Sequence, residues 1–200
     1  MRDQIMSDFL KALASRDASP GGGATAALHV AQAAALVARC AEDRDVVAEA
    51  RALSMHALRL AEKDAHAVTT VSRASGNPNA LLDARRGACV PPADVIAAAA
   101  VVLDLVERVP PDPQVVTDLA AAAEAARAAA VTARVSIEVL WYDLGSASGR
   151  GLRHPEPPKA VLAGLPEAAV LCESVASVGE ICDRADRVTE AIRSGVALSR

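Results

Sequence analysis

Long alanine-rich stretches constrain the fold of this chain more than any other feature. Residues 119–133 are dominated by alanine, the residue with the highest helix propensity, and apolar residues elsewhere recur at helical rather than alternating spacing. The 200 residues include one Phe, one Trp and one Tyr, so small side chains must fill most of the core and let helices approach closely. We therefore predict an all-α protein, an orthogonal or up-down bundle of about six to seven helices that dimerises.

Turn signals divide the chain into helical segments. Clusters of glycine, proline, serine and asparagine favour turns over helix, and they occur at residues 15–23, 75–79, 91–92, 109–113 and 145–158. Helices are predicted between them, over residues 2–15, 24–40, 45–72, 80–88, 93–108, 113 or 118 to 140, and 166–194. The predicted organisation is a helical core over 1–142, a flexible linker over 143–158 and a C-terminal helical segment packing on the core over 159–200.

Charge and hydropathy exclude several classes of partner. The formal net charge is −4, without the basic surface that binding to a phosphate backbone needs, so we expect no nucleic acid. Met1–Gln4 lacks the basic and apolar regions of a secretion signal, and the apolar run 24–38 is interrupted and too short to span a bilayer. We expect a cytoplasmic protein that does not contact a membrane.

CxxC spacing is absent, so we expect free thiols at the four cysteines, Cys40, Cys89, Cys172 and Cys182.

A glycine run precedes the second predicted helix. The triplet Gly21, Gly22 and Gly23 lies between Pro20 and a helical segment that begins at Ala24. Glycine allows a tight turn and a close approach of the backbone to a neighbour, and the free N–H groups of a helix N-terminus can hold an anion or a carbonyl oxygen. The run is therefore either a sharp corner between two packed helices or part of a ligand site.

A carboxylate interrupts the apolar seam of the third predicted helix. Alternating steps of four and three give the spacing of a packed stripe, with the members Val46, Ala50, Leu53, Ala57, Leu60, Asp64, Ala67 and Val71. If Asp64 faces inward, loss of hydration raises its pKa toward values suited to a general acid or base. If the seam ends at Leu60, Asp64 is instead a solvated surface residue.

Other polar residues point less clearly to a site. Thr25, His29, Gln32 and Arg39 share one face of the second predicted helix, which is either its solvent face or the wall of a polar cleft. His56 and His66, ten residues apart in the third predicted helix, share one helix face but lie too far apart to bind the same metal ion. We therefore predict no metal site and no prosthetic group.

Four segments together resemble the cyclodeaminase/cyclohydrolase family, which acts on one-carbon-substituted tetrahydrofolate. The resemblance covers about residues 5–140 and rests on Ser19–Leu28, Glu62–Ala67, Cys89–Pro91 and Thr117–Leu119. It implies an all-α homodimer that binds a tetrahydrofolate derivative in a cleft formed partly by the glycine run. The family's catalytic aspartate falls on Asp64, the residue that the seam had already singled out. The resemblance implies substrate-binding roles for Pro20, Gly21, Gly22, Gly23, Ala24, Thr117 and Asp118.

The resulting hypothesis is a one-carbon folate enzyme that resembles methenyltetrahydrofolate cyclohydrolase or formiminotetrahydrofolate cyclodeaminase, with Asp64 as general acid or base. The alternative is a non-catalytic family member that serves as a helical dimer for binding a ligand or a partner, and a third possibility is a purely structural bundle. Asp112, Arg134 and Glu138 stand where the family has asparagines, and these differences favour the alternative. Retention of Gly21–Gly23 and Asp64 favours the enzyme.

Overall fold

The structure is a computed structural model that describes residues 6–15, 19–147 and 168–198. Within these residues all regular structure is helical, as the alanine-rich pattern predicted, and no strand occurs. The helices are α1 (Met6–Leu13), α2 (Gly22–Cys40), α3 (Arg44–Arg73), α4 (Pro78–Ala88), α5 (Val90–Glu107), α6 (Val116–Ala147) and α7 (Ala168–Leu198), with a 3-10 turn at Ala74–Gly76 between α3 and α4.

Short polar side chains define where two of the helices begin. The Asp43 carboxylate accepts a hydrogen bond from the Asp45 N–H at 2.8 Å and caps α3. Asn77 accepts from the N–H groups of Asn79 and Ala80 at the start of α4. Such caps satisfy N–H groups that have no partner within the helix. The beginnings of α3 and α4 are thus set by local sequence.

Several helix boundaries differ from the predicted ones, those of α5 and α6 among them. Helix α5 begins at Val90 rather than at 93, because Pro91 and Pro92 fit the first turn, where an N–H group has no helical acceptor anyway. Helix α6 continues to Ala147, past Leu140 and into the predicted linker over 143–158. The rest of that linker, from residue 148, lies outside the described residues.

Helix α2 lies at the centre of the bundle, between α3, α5 and α6. Its buried positions are mostly alanines, among them Ala26, Ala27, Ala33 and Ala34, each with no exposed surface. Small side chains let the neighbouring helix axes come close while keeping the interior densely packed. The seam of α3 faces this centre, since Ala50, Ala57 and Leu60 are fully buried.

Helix α7 covers the opposite side, against α5 and α6. Its apolar residues Val178, Ile181 and Ala185 join the main core. On the rim, the Arg184 guanidinium donates to Asp104 at 2.7 Å and to Glu107 at 2.9 Å. These contacts hold α7 against the last turns of α5.

The most apolar helical stretch is Pro78–Glu107 rather than the run 24–38 considered from the sequence. By length and composition alone it could cross a membrane, since its most apolar window of 18 residues has a mean hydropathy of 1.9. It comprises two helices that meet at Cys89, and 67% of the apolar window is buried inside the fold. We interpret it as a core element, because core helices also show this hydropathy.

The polar stripe of α2 follows the outer side of that helix. Gln32 and Arg39 are exposed, and His29 is half-buried. The Thr25 hydroxyl donates to the Gly21 carbonyl at 3.0 Å, one turn earlier in the chain. None of the four residues lines the cleft described below, so the solvent-face interpretation fits the structure better than the cleft-wall interpretation.

Candidate functional site

A cleft of about 430 Å³ opens at the N-terminal end of α2. Five helices contribute to it: the first turn of α2, one face of α3, the end of α4, the start of α5 and the second half of α6. Its lining residues are Gly21, Gly22, Gly23, Asp64, Ala67, Val68, Val71, Ala88, Pro92, Thr132, Val135, Ser136, Val139 and Leu140. Among them Asp64 is the only residue with an ionisable side chain, so the cleft is an apolar space with a single carboxylate.

Asp64 reaches from α3 to the first turn of α2. Its carboxylate accepts a hydrogen bond from the Ala24 N–H, one of the amides that a helix leaves unpaired at its start. Gly21, the N-cap residue, makes no side-chain hydrogen bond to this turn. Asp64 therefore caps α2 from a different helix, and its negative charge lies at the positive end of the helix dipole.

Burial raises the pKa of Asp64 above its ordinary value, and the hydrogen bond from Ala24 lowers it by a smaller amount. Neighbouring walls formed by Val68, Val71 and Val139 provide little hydration for the ionised form, which is the cause of the increase. No ion-pair partner for Asp64 is present in the described parts of the chain. Of the two interpretations of the α3 seam, the one with Asp64 facing inward fits the structure, since Asp64 lines the cleft and is half-buried. The pH at which both protonation states of such a carboxyl group are present lies closer to neutral than it does for an exposed carboxyl group. The group can therefore donate or accept a proton.

The glycine run contacts two different neighbours. A Cβ atom built on Gly23 would lie 2.5 Å from Asp64 Cγ and 2.6 Å from Asp64 Oδ2. A Cβ atom built on Gly22 would meet only Thr132 Cγ2, at 3.8 Å, which is an ordinary van der Waals distance. The two glycines therefore differ in what a side chain would disturb.

The flanking members of the predicted glycine site do not line the cleft. Ala24 is fully buried, and its N–H is directed to Asp64 rather than toward open space. Pro20 precedes the lining glycines without lining the cleft itself. The predicted contacts of a substrate with this backbone thus reduce to Gly21, Gly22 and Gly23.

Thr117 and Asp118 lie at the other end of α2. Asp118 forms an ion pair with Arg39, with 2.9 Å between Oδ2 and Nε. Arg39 follows Gly22 by 17 residues in the same helix, which places it about 26 Å along the helix axis. Within one chain, the structure therefore does not bring Thr117 and Asp118 to the cleft that contains Asp64, and their binding role stays a prediction.

The three positions that depart from the family pattern make local contacts of their own. Asp112 accepts from the Gln114 N–H at 2.7 Å, in the turn before α6. Arg134 and Glu138 form an ion pair on α6 with 2.7 Å between Nε and Oε1, and both are about one-third exposed or more. Neither of the α6 residues lines the cleft, although both lie on the same stretch of helix as Val135 and Val139.

A second, wider groove of about 910 Å³ adjoins the cleft along α3. The two spaces share Ala67, and the groove is lined by Lys63, His66, Thr70 and Arg73. These four residues recur at steps of three and four, so they lie on one face of α3 next to the face of Asp64. The spacing is visible in the sequence, but sequence analysis did not single it out. Lys63 and Arg73 bring two cations to this groove, whose lining also includes the Asp83 carboxylate.

No group of three or more His, Cys, Asp or Glu side chains that could hold a metal ion occurs among the described residues. His66 lines the groove and His29 lies on α2. The Nδ1 atom of His29 is buried and has no hydrogen-bond partner within the described part of the chain. The one titratable group described at the cleft, the Asp64 carboxyl group, is suited to proton transfer.

The fold and the cleft define a class: helical-bundle proteins with one half-buried aspartate against a glycine-rich helix N-terminus. A family model described as formiminotransferase-cyclodeaminase matches residues 5–140, and the chain belongs to this family. A crystal structure of formiminotetrahydrofolate cyclodeaminase from Thermotoga maritima has a TM-score of 0.73 and 22% sequence identity, over 96% of this chain and 98% of that chain. This likeness shows a shared fold. No curated protein sequence matches the chain.

Proposed function

We propose that this protein is a one-carbon folate enzyme, a formiminotetrahydrofolate cyclodeaminase or a methenyltetrahydrofolate cyclohydrolase. Family membership supports the folate class. The observation that carries the catalytic part is the half-buried Asp64 carboxylate, alone in an apolar cleft and with a raised pKa. Both reactions make or break bonds at a carbon that is bonded to nitrogen, and both need a group that carries a proton to or from nitrogen or water. A lone carboxyl group of this kind is suited to that task.

In the cyclodeaminase reaction, N10 of 5-formiminotetrahydrofolate attacks the formimino carbon and the C–N bond to the terminal nitrogen breaks. That nitrogen needs two protons to leave as ammonia. One comes from N10, which loses its hydrogen on ring closure, and protonated Asp64 would donate the other, so that the product is the 5,10-methenyl cation. A raised pKa favours this role because it keeps more of the carboxyl group protonated.

In the cyclohydrolase reaction, water attacks the methenyl carbon and one C–N bond opens to give the formyl product. Ionised Asp64 would accept one proton of the attacking water, and the second proton passes to the nitrogen whose bond to the carbon opens. The apolar walls of the cleft strengthen the interaction between the carboxylate and a cationic methenyl group, because the local dielectric constant is low. Asp64 can serve either reaction, so the choice between them depends on the substrate assay below.

The basic face of α3 supports a folate as ligand. A folate has an apolar ring system that reacts at one end and carboxylates at the other. The cleft offers apolar walls around Asp64. The adjoining groove offers the cations of Lys63 and Arg73, and it also contains the Asp83 carboxylate. A ligand that spans both spaces would place its carboxylates against positive charge.

The test is a substrate assay with the purified full chain. Loss of methenyltetrahydrofolate absorbance reports the cyclohydrolase reaction, and gain of the same absorbance from 5-formiminotetrahydrofolate reports the cyclodeaminase reaction. We expect turnover in one assay and binding of reduced folates in calorimetric titration. Absence of turnover and of binding for every reduced folate would contradict the proposal.

The alternative is a family member that binds a ligand or partner as a helical dimer without turnover. The Arg134–Glu138 ion pair favours it, since these charged side chains stand beside the cleft where the family has neutral amides. In that case reduced folates would bind in calorimetry, neither assay would show turnover, and Asp64→Asn would leave the affinity nearly unchanged.

We also propose that the protein is a cytoplasmic homodimer. The apolar residues of α2 are covered within one chain, so they supply no argument for a second copy. The exposed apolar stripe instead lies on α6, where Val131, Val135, Val139 and Tyr142 are 42 to 55% exposed. The stripe adjoins the cleft, because Val135 and Val139 belong to both, and apolar surface of this kind is typical of protein interfaces. Light scattering at micromolar concentration tests the dimer.

A further inference from the structure

The Asp64 carboxylate occupies the space that a side chain on residue 23 would need. Asp64 Cγ and Oδ2 lie 2.5 and 2.6 Å from the position that a Cβ atom on residue 23 would take. No side chain other than hydrogen fits there while the carboxylate stays in place, because carbon and oxygen atoms in van der Waals contact are more than 3 Å apart. The position of the carboxylate therefore depends on the absence of a side chain at residue 23.

The backbone of the first turn of α2 explains why the carboxylate lies so close. Asp64 projects from the seam of α3, which packs directly against α2, and accepts the Ala24 N–H. The hydrogen bond draws the carboxylate over the backbone of the preceding residue, Gly23. This approach leaves the carboxylate half-buried at the cleft rather than directed into solvent.

An added methyl group would displace the carboxylate more readily than the helix. The atoms that a Cβ on Gly23 would meet belong to the end of the Asp64 side chain, which can rotate about χ1. The backbone of α2 is held by Ala26 and Ala27, both fully buried. A change at Gly23 should thus alter the chemistry of the cleft without unfolding the bundle.

We propose that Gly23 is a positioning residue for Asp64: its missing side chain lets the carboxylate lie against the first turn of α2 and face the cleft. This inference rests on the proposed function, in which Asp64 moves the proton. It assigns Gly23 a role that differs from contact with the substrate, because Gly23 acts through Asp64.

The experiment compares Gly23→Ala with two matched glycine-to-alanine variants. Gly22→Ala controls for a methyl group on the same turn, where the added Cβ meets only Thr132 at 3.8 Å. Gly179→Ala on α7 controls for activity, since its added Cβ meets nothing within 4 Å and it lies outside the cleft. The titration of the Asp64 carboxyl carbon is followed by NMR, which needs no substrate, and kcat, KM and the pH profile are measured where the protein turns over a folate.

We expect Gly23→Ala to lower the NMR-detected pKa of Asp64 toward the ordinary aspartate value. Burial is the larger of the two causes of its present value, and a displaced carboxylate regains water. Gly22→Ala should leave this titration unchanged. We expect kcat to fall roughly 100-fold in Gly23→Ala, as loss of a positioned acid or base does, with a shifted pH profile, while Gly179→Ala keeps the kcat of the unmodified protein.

Two results would overturn the inference. One is an unchanged Asp64 titration in Gly23→Ala, whatever happens to kcat, since the glycine would then act by another route. The other is an equal shift in Gly22→Ala and Gly23→Ala, which would point to a general disturbance of the turn. A shifted titration confined to Gly23→Ala, in a protein that turns over no folate, would support the positioning role and contradict the proposed function.

A double variant covers the case in which Gly23→Ala does not fold. In an Asp64→Ala background no carboxylate occupies the space, so Gly23→Ala should fold and melt within a few degrees of the Asp64→Ala single variant. If the double variant is also unfolded, the effect of residue 23 does not pass through Asp64 and the inference fails.

Discussion

Asp64→Asn tests the catalytic hypothesis most directly, because it changes charge with little change in shape. The asparagine amide oxygen can still accept the Ala24 N–H, and no ion-pair partner among the described residues is left without its counter-charge. The substitution loses the attraction between a charge and a helix N-terminus, which is worth about 0.3–1 kcal/mol. It also removes the cost of burying a carboxylate. Since the pKa of Asp64 is raised in the fold, the burial cost outweighs the attraction.

The net effect on stability at neutral pH is therefore zero or favourable. Each unit of difference between the folded and unfolded pKa corresponds to about 1.4 kcal/mol, and a chain of this size gains about 2–4 °C in Tm per kcal/mol. We expect Asp64→Asn to melt at the same temperature or a few degrees higher. Clear destabilisation would show that Asp64 is a structural residue whose charge the fold requires.

The sign of the pH dependence follows from the same raised pKa. Between the unfolded and the folded pKa the folded protein binds more protons, so Asp64 lowers the stability of the protein as pH rises through this interval. Below the unfolded pKa, near 3.9, Asp64 is protonated in both states. The advantage of Asp64→Asn in thermal melts should thus be present at pH 7 and disappear toward pH 4.

Turnover is the second half of this prediction. Removing a general acid or base costs roughly 10²- to 10⁴-fold in rate, so we expect kcat to fall at least about 100-fold in the methenyltetrahydrofolate absorbance assay. Asp183→Asn, at an exposed position on α7, is the control and should change neither kcat nor Tm. Unchanged turnover in Asp64→Asn would refute the assignment of Asp64 as the proton-transfer group, whatever its stability.

Four further outcomes are expected. Gly22→Val should weaken binding of reduced folates in calorimetry more than it lowers Tm, because the branched side chain enters the cleft beside Thr132; equal losses of both would favour a purely structural corner. Cys89 should resist alkylation at pH 8 in the native protein, because burial raises the pKa of its thiol to about 12; mass spectrometry checks this against half-buried Cys172, and native labelling of Cys89 would contradict it. A reductant should not change Tm, since all four cysteines are free, and a reductant-sensitive melt would reveal an unexpected bridge. Val131→Asp should shift light scattering toward the monomer, because it puts a charge into the apolar stripe of α6, and an unchanged mass would place any interface elsewhere.

The helical class and the faces of single helices were predictable because they depend on local sequence. Alanine-rich runs have high helix propensity, and the period of 3.6 residues determines which side chains share a face. The seam of α3 therefore placed Asp64 on the same face as Ala57 and Leu60, both of which are buried. The turn cluster at 75–79 likewise placed the start of α4 within two residues of Pro78, where the helix begins.

Only the tertiary structure decided which helix faces pack against each other. Periodicity places Asp64 on the seam of α3, but it contains no information on which helix lies opposite. The contact with Gly23 and the hydrogen bond from Ala24 therefore appear only in the folded bundle. For the same reason, the family resemblance implied that Thr117 and Asp118 bind the same substrate as the glycine run, whereas within one chain the length of α2 separates them. Local interactions decide the conformation of each segment, and contacts between residues distant in the chain decide which segments meet.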